Sequence, residues 1–464
     1  MDYKQLNLLP LLPEIFEEQV TSDSDGYEVF SSNGNGIYVG KDLGTFKDSL
    51  CVPVHRWFRY PAGYSYKFVE ASFDTFGIKP GDWVYDPFSG SGTTLLTAKQ
   101  QGVNGYGVEA HSFVHWVADV KLRWAYDIKQ LEWNVENLLV EWRNSIPHQI
   151  ETLDVEGVFP ALVYKCYHPQ DLKVLYLLRE CISKETPPEI VDLFKLALTD
   201  TLRGAAAAGT GWPYIAPRKN DGNSPPKKAF RVFEKTLRQM VSDLREVLRD
   251  LSSCDIHNVL GDSRERQNLP DGQINIALTS PPYLNNYDYA DRTRLETYFW
   301  GITNSWGDIT AKFRKKLITA ATTQVTRSEY PDLLAVLTPE IKDATPHIYT
   351  KLQDAIFKLS ELRLQKGGKK DYDVMVALYF NDIFRVMQET FRLLKPGARF
   401  CLVLGDSAPY GIHIPTDQVI GELGLGLGFQ DYTTHDLRKR GDKWKGNPQR
   451  HKIPLKECVV ILKK

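Results

Sequence analysis

Hydrophobic residues along the chain form two patterns, short continuous runs and repeats with helical spacing. Continuous apolar runs predict strands buried on both faces, because a covered parallel strand has no polar side to alternate with. Helical patterns fall between these strands, which predicts an α/β fold with an open sheet. The predicted strands lie at 83–86, 105–109, 258–260, 274–278, 399–404 and 456–462.

Helical spacing is clearest in two long segments that interrupt the strands. Between the second and third strands, apolar residues recur three and four positions apart, and a further helix is predicted at 230–247. The segment 301–370 is also predicted to be helical, with mixed charge. After it, a long helix at 372–394 ends at Lys395-Pro396-Gly397, and another helix is predicted at 416–425.

A loop of small residues follows the first strand, with the sequence DPFSGSGTT at 86–94. Gly90 and Gly92 allow the backbone to approach a ligand closely, and the amides of the loop and the next helix favour an anionic group such as a carboxylate. The loop lacks the lysine of a phosphate-binding P-loop and does not fit G-x-G-x-x-G, which weakens a phosphate interpretation. Glu109 ends the next strand about 20 residues later, where a carboxylate can hold ribose hydroxyls. Taken alone, Glu109 is equally consistent with a solvated charge.

The strand at 274–278 ends in a second distinctive run, TSPPY at 279–283. Two prolines stiffen this loop, and strand ends of open α/β sheets are where ligands bind. The Ser280 hydroxyl and a loop carbonyl can accept hydrogen bonds from an exocyclic amine, and the Tyr283 ring can stack on a flat heterocycle. Considered without the first motif, an ordinary Pro-Pro turn that closes a strand is the favoured explanation of this run.

Together, these two motifs resemble those of the amino-methylating DNA methyltransferases, which use S-adenosylmethionine. The resemblance extends from about Val54 to Lys464 and implies a Rossmann-like methyltransferase fold, with a mostly parallel seven-stranded sheet and helical insertions. It places a leading helix beside the cofactor and Asp262 against the adenine amine, although a plain Gly-Asp turn is an alternative for Asp262. The implied cofactor-binding residues are Tyr66, Lys67, Asp86, Pro87, Phe88, Ser89, Gly90, Gly92, Thr93, Thr94, Glu109, Asp262, Ser263 and Thr279.

The resemblance also divides the chain. We expect an N-terminal lead-in at 1–50 and a catalytic domain built from 51–125 (cofactor half), 254–300 (TSPPY half) and 371–464 (C-terminal strands with a basic hairpin). Helical insertions at 126–253 and 301–370 interrupt this domain. The larger insertion is the candidate target-recognition segment, but its position inside the cofactor half departs from the family pattern. The second insertion and the basic hairpin near Trp444 therefore remain alternatives.

The types of residue present limit the methylation chemistry that the chain can support. The chain has no Pro-Cys dipeptide, which argues against a thiol nucleophile of the kind that methylates cytosine C5. In the resembling family, serine before Pro-Pro-Tyr is most typical of N4-cytosine methylation, and Asp or Asn of N6-adenine methylation. We therefore expect N4 methylation of a flipped cytosine, with N6-adenine as the alternative. An RNA amino-methyltransferase or a non-catalytic binding module is less favoured. The catalytic residues implied are Ser280, Pro281, Pro282 and Tyr283.

The overall charge of the chain does not predict nucleic-acid binding, since the net charge is −1 and the sequence pI is about 6.8. Two local basic patches, at 215–228 and 437–452, suit a phosphate backbone, although such runs are more often solvated loops. We expect double-stranded DNA as the partner, with a cognate restriction endonuclease or other defence protein as a further candidate. The DNA contacts expected are Asn285, Tyr287, Arg292, Arg218, Lys219, Lys227, Lys228, Arg438, Lys439, Arg440, Lys443 and Lys445.

Other features point to a cytoplasmic protein. No apolar run is long enough to span a bilayer, and no signal peptide opens the chain. The six cysteines are scattered without the paired spacing of metal sites, so we expect reduced thiols and no bound metal.

Overall fold

A seven-stranded sheet forms the centre of the protein in a computed structural model, which describes residues 48–60, 63–184, 186–209, 225–249, 253–440 and 453–464. Backbone is also described for an antiparallel pair, β1 (Val29–Ser32) and β2 (Asn35–Tyr38). Of the expected lead-in, residues 1–28, 33–34 and 39–47 lie outside the described part of the chain. The sheet strands are β3 (Trp83–Asp86), β4 (Asn104–Glu109), β5 (Ile256–Leu260), β6 (Ile274–Thr279), β7 (Leu394–Gly405), β8 (Asp431–Arg440) and β9 (Leu455–Lys463).

The strand order is β5-β4-β3-β6-β7-β9-β8. The strands from β5 to β7 are parallel, and β9 runs antiparallel to both β7 and β8. This confirms the expected mostly parallel, Rossmann-like sheet. From β3 the chain first builds outwards through β4 and β5, and then returns to the other side of β3 with β6. The loops that follow β3 and β6 therefore diverge, which opens the crevice where doubly wound folds bind ligands.

Helices cover the sheet and form a bundle in the first insertion. That bundle is held by an aromatic core in which the rings of Trp142 and Phe194 meet edge to face with 5.7 Å between centroids. Phe233 packs against the same two rings, and all three side chains are almost fully buried. The helices up to this point are α1 (Tyr66–Phe76), α2 (Thr93–Gln100), α3 (Ser112–Leu122), α4 (Ile128–Ile150), α5 (Ala161–Cys166), α6 (Pro169–Lys184), α7 (Val191–Gly204) and α8 (Ala229–Val247).

The second insertion is helical at both ends and irregular between. Short 3-10 turns at Thr322–Gln324, Arg327–Glu329 and Leu333–Ala335 occupy its middle. The remaining helices are α9 (Arg294–Phe299), α10 (Trp306–Ile309), which continues as a π-helical turn to Arg314, α11 (Pro339–Ala344), α12 (Pro346–Gln365), α13 (Tyr372–Leu393) and α14 (Thr416–Gly426).

Two segments differ from the sequence prediction. The basic run from Leu437 to Arg440 was expected in a loop but belongs to β8, where Leu437 turns inwards with 5% exposure. Its charged neighbours are more exposed, so the strand shows the alternation of a one-sided edge strand. Strand β7 begins at Leu394, directly after α13, and accommodates Lys395-Pro396-Gly397 through a register irregularity opposite Ile274 and Ile276. Within the described residues, no helix is both long and apolar enough to cross a membrane.

Candidate active site

A fully buried carboxylate, Asp86, ends β3 and ties the two sequence motifs together. Its Oδ1 accepts hydrogen bonds from the Thr279 hydroxyl at 2.7 Å and from the Phe88 amide at 3.0 Å. Its Oδ2 accepts from the hydroxyls of Thr94 and Tyr64. Burial raises the pKa of this carboxyl, and the hydrogen bonds act in the opposite direction. Asp86 thus fixes the end of β6, the Gly-rich loop and the start of α2 relative to one another.

The Gly-rich loop turns through two residues in the left-handed region, Gly90 at φ 53° and Gly92 at φ 87°. A side chain at either position would be strained, because L residues rarely adopt these angles. Glu109, at the end of β4, accepts from the Gly90 amide at 2.9 Å through Oε2 and from the His111 amide at 2.7 Å through Oε1. Burial raises the pKa of Glu109 to about 7, although the backbone hydrogen bonds lower it.

One cavity opens among the loops that follow β3, β4, β5 and β6. It brings Glu109 and Asp262 to the same space as Ser280, although these residues are far apart in sequence. The residues of the second insertion around Leu317 close another side. Its described lining consists of Tyr60, Gly63, Tyr64, Pro87, Phe88, Ser89, Gly90, Ser91, Thr93, Val108, Glu109, Ala110, Asp262, Ser263, Ser280, Pro282, Tyr289, Lys316, Leu317 and Ile318.

The polar groups of this cavity fit adenosylmethionine. Within the part of the chain that the structure describes, the buried hydroxyls of Ser89 and Ser91 have no hydrogen-bond partner, and both residues line the cavity. Buried polar groups are normally paired, so two unpaired hydroxyls indicate that a polar ligand completes them. They can donate to a carboxylate, while Glu109 can accept from ribose hydroxyls.

Asp262 lines the cavity but is already engaged. The Arg264 guanidinium contacts both of its carboxylate oxygens, with Nε at 2.9 and 3.0 Å and Nη2 at 2.7 Å. Arg264 also donates to Asp382 at 2.8 Å, which ties this loop to α13. The contact of Asp262 with an adenine amine therefore stays a prediction, and any such contact would be made by a carboxylate whose position Arg264 sets.

The Pro-Pro-Tyr loop presents part of its motif to the cavity and buries the rest. Ser280 and Pro282 line the cavity, whereas Tyr283 is only 8% exposed. The Tyr283 hydroxyl donates to Glu457 Oε1 of β9 at 2.7 Å. The guanidinium of Arg440, on β8, lies over the Tyr283 ring, 5.3 Å from its centroid. Two strands from the far end of the chain therefore hold this ring.

Some of the expected cofactor residues lie outside the cavity lining, and for Tyr66 and Lys67 a role in cofactor binding stays a prediction. Helix α1 starts at Tyr66 behind the Ser65 cap, and its first turn faces residues 48 and 49: Lys67 Nζ pairs with Asp48 at 3.0 Å. Neither residue is among those that line the cavity. Tyr60 and Tyr64, just before the helix, line it instead. Asp86, Gly92, Thr94 and Thr279 are not lining residues either, and Asp86, Thr94 and Thr279 act through the hydrogen bonds around Asp86.

The expected DNA contacts are dispersed. Arg438 pairs with Glu457, and Arg440 donates to the Asp406 carbonyl at 3.1 Å and to Asn286 Oδ1 at 3.2 Å, so both arginines have partners within the protein. Lys439 between them is exposed. Arg218, Lys219, Lys443 and Lys445 lie outside the described residues.

Near the Pro-Pro-Tyr loop, Arg292 is 7% exposed and lies 4.3 Å from the ring centroid of Tyr287. The Asn285 amide donates to the Ala320 carbonyl at 2.9 Å, which fixes the loop against the second insertion. Lys227 and Lys228 are exposed just before α8. A role in DNA binding stays a prediction for all of these residues.

Several lining residues carried no sequence signal. Lys316, Leu317 and Ile318 reach the cavity because the second insertion packs against the Pro-Pro-Tyr loop. Glu457 was expected only as part of a strand. The tyrosines at 60, 64 and 289 were visible as aromatic residues near the motifs, and aromatic enrichment beside a motif is the one signal that could have found them.

Comparison with known proteins agrees with this geometry. Residues 58–118, which include the Gly-rich loop and Glu109, match the N6/N4 methyltransferase family model, described as DNA methylase. The resemblance to the amino-methylating DNA methyltransferases is confirmed.

Full-length relatives extend the similarity. The chain is 23% identical to Type II methyltransferase M.BsoBI of Geobacillus stearothermophilus over an alignment covering 98% of each chain. It is 21% identical to M.AvaI of a Nostoc species, over 84% of this chain and 82% of the relative. It is 22% identical to M.MvaI of Kocuria varians, over 87% and 86%. The similarity thus spans both insertions as well as the motifs.

Proposed function

We propose that the protein transfers the methyl group of S-adenosylmethionine to the exocyclic N4 amine of a cytosine flipped out of double-stranded DNA. The observation that carries this proposal is the shared cavity: Glu109 and Asp262 line it together with Ser280 and Pro282. The groups suited to a cofactor and the loop suited to an amine therefore face the same space.

Adenosylmethionine, when bound, supplies an electrophilic methyl group on a sulfonium sulfur. In the proposed site, Ser89, Ser91 and the Gly90 loop hold its carboxylate end, and Glu109 accepts from its ribose hydroxyls. The Asp86 hydrogen bonds keep this loop at a fixed distance from the end of β6. Because reacting atoms must be held in near-attack geometry, such rigidity is the main contribution that a methyltransferase makes.

The Ser280 hydroxyl and the Pro281 carbonyl are the proposed acceptors for the two N–H bonds of the target amine. These acceptors favour a pyramidal nitrogen, whose lone pair is then no longer delocalised into the ring. A bound cofactor would supply its methyl group to this lone pair and leave as the neutral thioether, and the proton lost by the amine would go to solvent. None of the six cysteines is among the described lining residues, which fits a mechanism without a thiol nucleophile.

An amine inside a duplex is out of reach, so the base must leave the stack. Tyr283 is the proposed stacking partner, with its ring orientation set by Glu457 and Arg440. The choice of cytosine rests on serine at position 280, by resemblance to the family pattern. Adenine N6 is the alternative, because the same acceptors suit either amine. The Type II designation of the relatives supports a role in DNA methylation within a restriction–modification system.

The test is methyl transfer from labelled adenosylmethionine to duplex DNA, followed by nucleoside mass spectrometry of the digested product. We expect N4-methylcytosine, and we expect Ser280→Ala to reduce the rate strongly while cofactor binding persists. N6-methyladenine would correct the base but keep the site. 5-Methylcytosine, or transfer to RNA without transfer to DNA, would refute the proposal.

A further inference from the structure

A second cavity, of about 580 Å³, lies in the first insertion beside the N-terminal half of α8. We name it the α8 groove. Five basic residues line it against one acid, Asp200, in a protein whose net charge is −1. The basic residues are Arg56, Lys227, Lys228, Arg231 and Lys235.

The cations of the α8 groove differ from the other cations of the same helix. Arg238 pairs with Glu136 and Glu234, and Arg245 pairs with Glu132, so these arginines of α8 outside the groove are neutralised. By contrast, Lys227, Lys228, Arg231 and Lys235 have no ion-pair partner anywhere in the described ranges of the chain. Arg56 is committed to the buried Asp243, to which its Nε donates at 2.9 Å. Four unneutralised charges therefore surround one concave surface.

A buried carboxylate on α6 holds the backbone at two of these lysines, Lys227 and Lys228. Asp171 of α6, only 2% exposed, accepts from the Lys227 amide at 2.6 Å and from the Ala229 amide at 2.8 Å. Lys228 between them is held in the left-handed region at φ 58°, which is uncommon for a residue with a side chain. A buried carboxylate thus holds the two lysines at one edge of the α8 groove, rather than leaving them on a loose loop.

The α8 groove is joined to the catalytic cavity by two short stretches of chain. Arg56 and Trp57 line the groove, and Tyr60, three positions later, lines the catalytic cavity. On α7, Asp200 lines the groove, whereas Arg203 donates to the Arg292 carbonyl at 2.7 Å, just beyond the catalytic loop. One helical turn, ~5 Å of axial rise, separates Asp200 from Arg203. Because the groove and the catalytic cavity are lined by residues only three positions apart along the chain, we expect one duplex to contact both.

We propose that the α8 groove binds the phosphate backbone of duplex DNA that flanks the methylated base. This inference builds on the proposed function and adds the surface that holds the duplex. DNA carries one charge per ~1.7 Å of helix axis, so several unpaired cations on a fixed surface can each replace a condensed counterion. Since the chain has no net positive charge, affinity for DNA must come from such a local surface.

The test compares two double variants of the same helix. Arg231→Gln with Lys235→Gln removes two cations from the α8 groove, and Arg238→Gln with Arg245→Gln removes two cations that are already paired. Both variants change the net charge equally, so a general charge effect alters them alike. The measurement is the affinity for duplex DNA at several salt concentrations, together with cofactor affinity and thermal unfolding as checks of folding.

We expect the groove variant to bind DNA more weakly and to lower the slope of log affinity against log salt by roughly 2, since each lost phosphate contact removes about 0.9. The control should keep the slope of the unaltered protein. Equal slopes in the two variants, whether both unchanged or both lowered to the same extent, would overturn the inference. These outcomes are distinct from failure of the proposed function, in which the unaltered protein itself would not methylate DNA.

Discussion

The guanidinium of Arg440 lies 5.3 Å from the ring centre of Tyr283, in space left open by the absence of a side chain at Gly405. A Cβ at position 405 would come within 2.2 Å of Arg440 Nη1 and 3.2 Å of Tyr283 Cδ2. Strand β7 therefore leaves room for an arginine of β8 to reach the Pro-Pro-Tyr loop. Arg440 therefore contacts the Tyr283 ring and the Asp406 carbonyl, rather than lying in a basic hairpin without partners.

Replacing Arg440 with Met should slow methyl transfer by about tenfold, since a partly buried cation–π contact contributes roughly 1–2 kcal/mol. Cofactor affinity should not change. Gly405→Ala should give the same defect, because its Cβ displaces the guanidinium while the charge stays. The neighbouring Lys439→Met is the matched control. If Arg440→Met changed only the salt dependence of DNA binding, as a lost phosphate contact does, the positioning role would be wrong.

Two substitutions at Tyr283 should separate ring stacking from ring anchoring. Tyr283→Ala removes both and should cost roughly 1–3 kcal/mol in transition-state binding, as stacking losses do elsewhere. Tyr283→Phe keeps the ring but leaves Glu457 without its hydroxyl donor, although the bond from Arg438 remains. We expect Phe to retain most of the base binding and to lower thermal stability modestly. Turnover with a duplex substrate and a melting curve measure the two effects. Equal activity of the Ala variant and the unaltered protein would exclude stacking on this ring.

Cofactor affinity should depend on pH through Glu109. Burial raises the pKa of this carboxyl from 4.5 to about 7, so it gains a proton as the pH falls through 7. A protonated carboxyl has lost acceptor capacity for ribose hydroxyls, and affinity should fall about tenfold from pH 8 to pH 6. Calorimetry with adenosylmethionine at both pH values measures this. Glu109→Gln should bind weakly at both, and its residual pH dependence reports the cofactor's own amine. A pH-independent affinity of the unaltered protein would contradict the assignment.

Gly92→Val should abolish cofactor binding. Gly92 lies at φ 87°, and a Cβ there would approach the Ala118 Cβ to 3.3 Å, so the loop must move. Gly81→Val is the matched control, because Gly81 has a similar φ of 88° but no atom within 4 Å of the added Cβ. Both variants carry backbone strain, and only the first should lose adenosylmethionine in a binding titration. If both variants lost adenosylmethionine binding, general destabilisation of the fold would explain the loss.

Much of the sheet could be predicted from the sequence because its central strands are buried on both faces. The runs that form β3, β4 and β6 were assigned to within a residue or two. Strand β8 was not assigned: its polar, charged sequence matches an edge strand that alternates towards solvent, and only Leu437 marks its inner face. Edge strands lack the continuous hydrophobicity that identifies central ones.

The residues of the cavity also divide into those that the sequence predicts and those that it does not. Glu109 and Ser280 were placed from the motifs, because strand ends in a parallel sheet meet along one edge. The partners of Tyr283 could not be predicted, since Glu457 and Arg440 reach it through antiparallel pairing near the end of the chain. Sequence motifs locate groups that act within one loop. Contacts between distant strands depend on registers that no local pattern encodes.

The position of β9 between β7 and β8 has a consequence for the order in which the site is made. As the chain leaves the ribosome, β8 emerges before β9 and has no neighbour in the sheet until β9 inserts between it and β7. The Tyr283 hydroxyl must wait for Glu457, which follows it by 174 positions. A nascent chain that has just completed Arg440 therefore carries both motifs but not a finished site. The Tyr283 ring therefore gains its partner on β9 only after the segment that carries Glu457 has been made, because pairing between distant segments forms late.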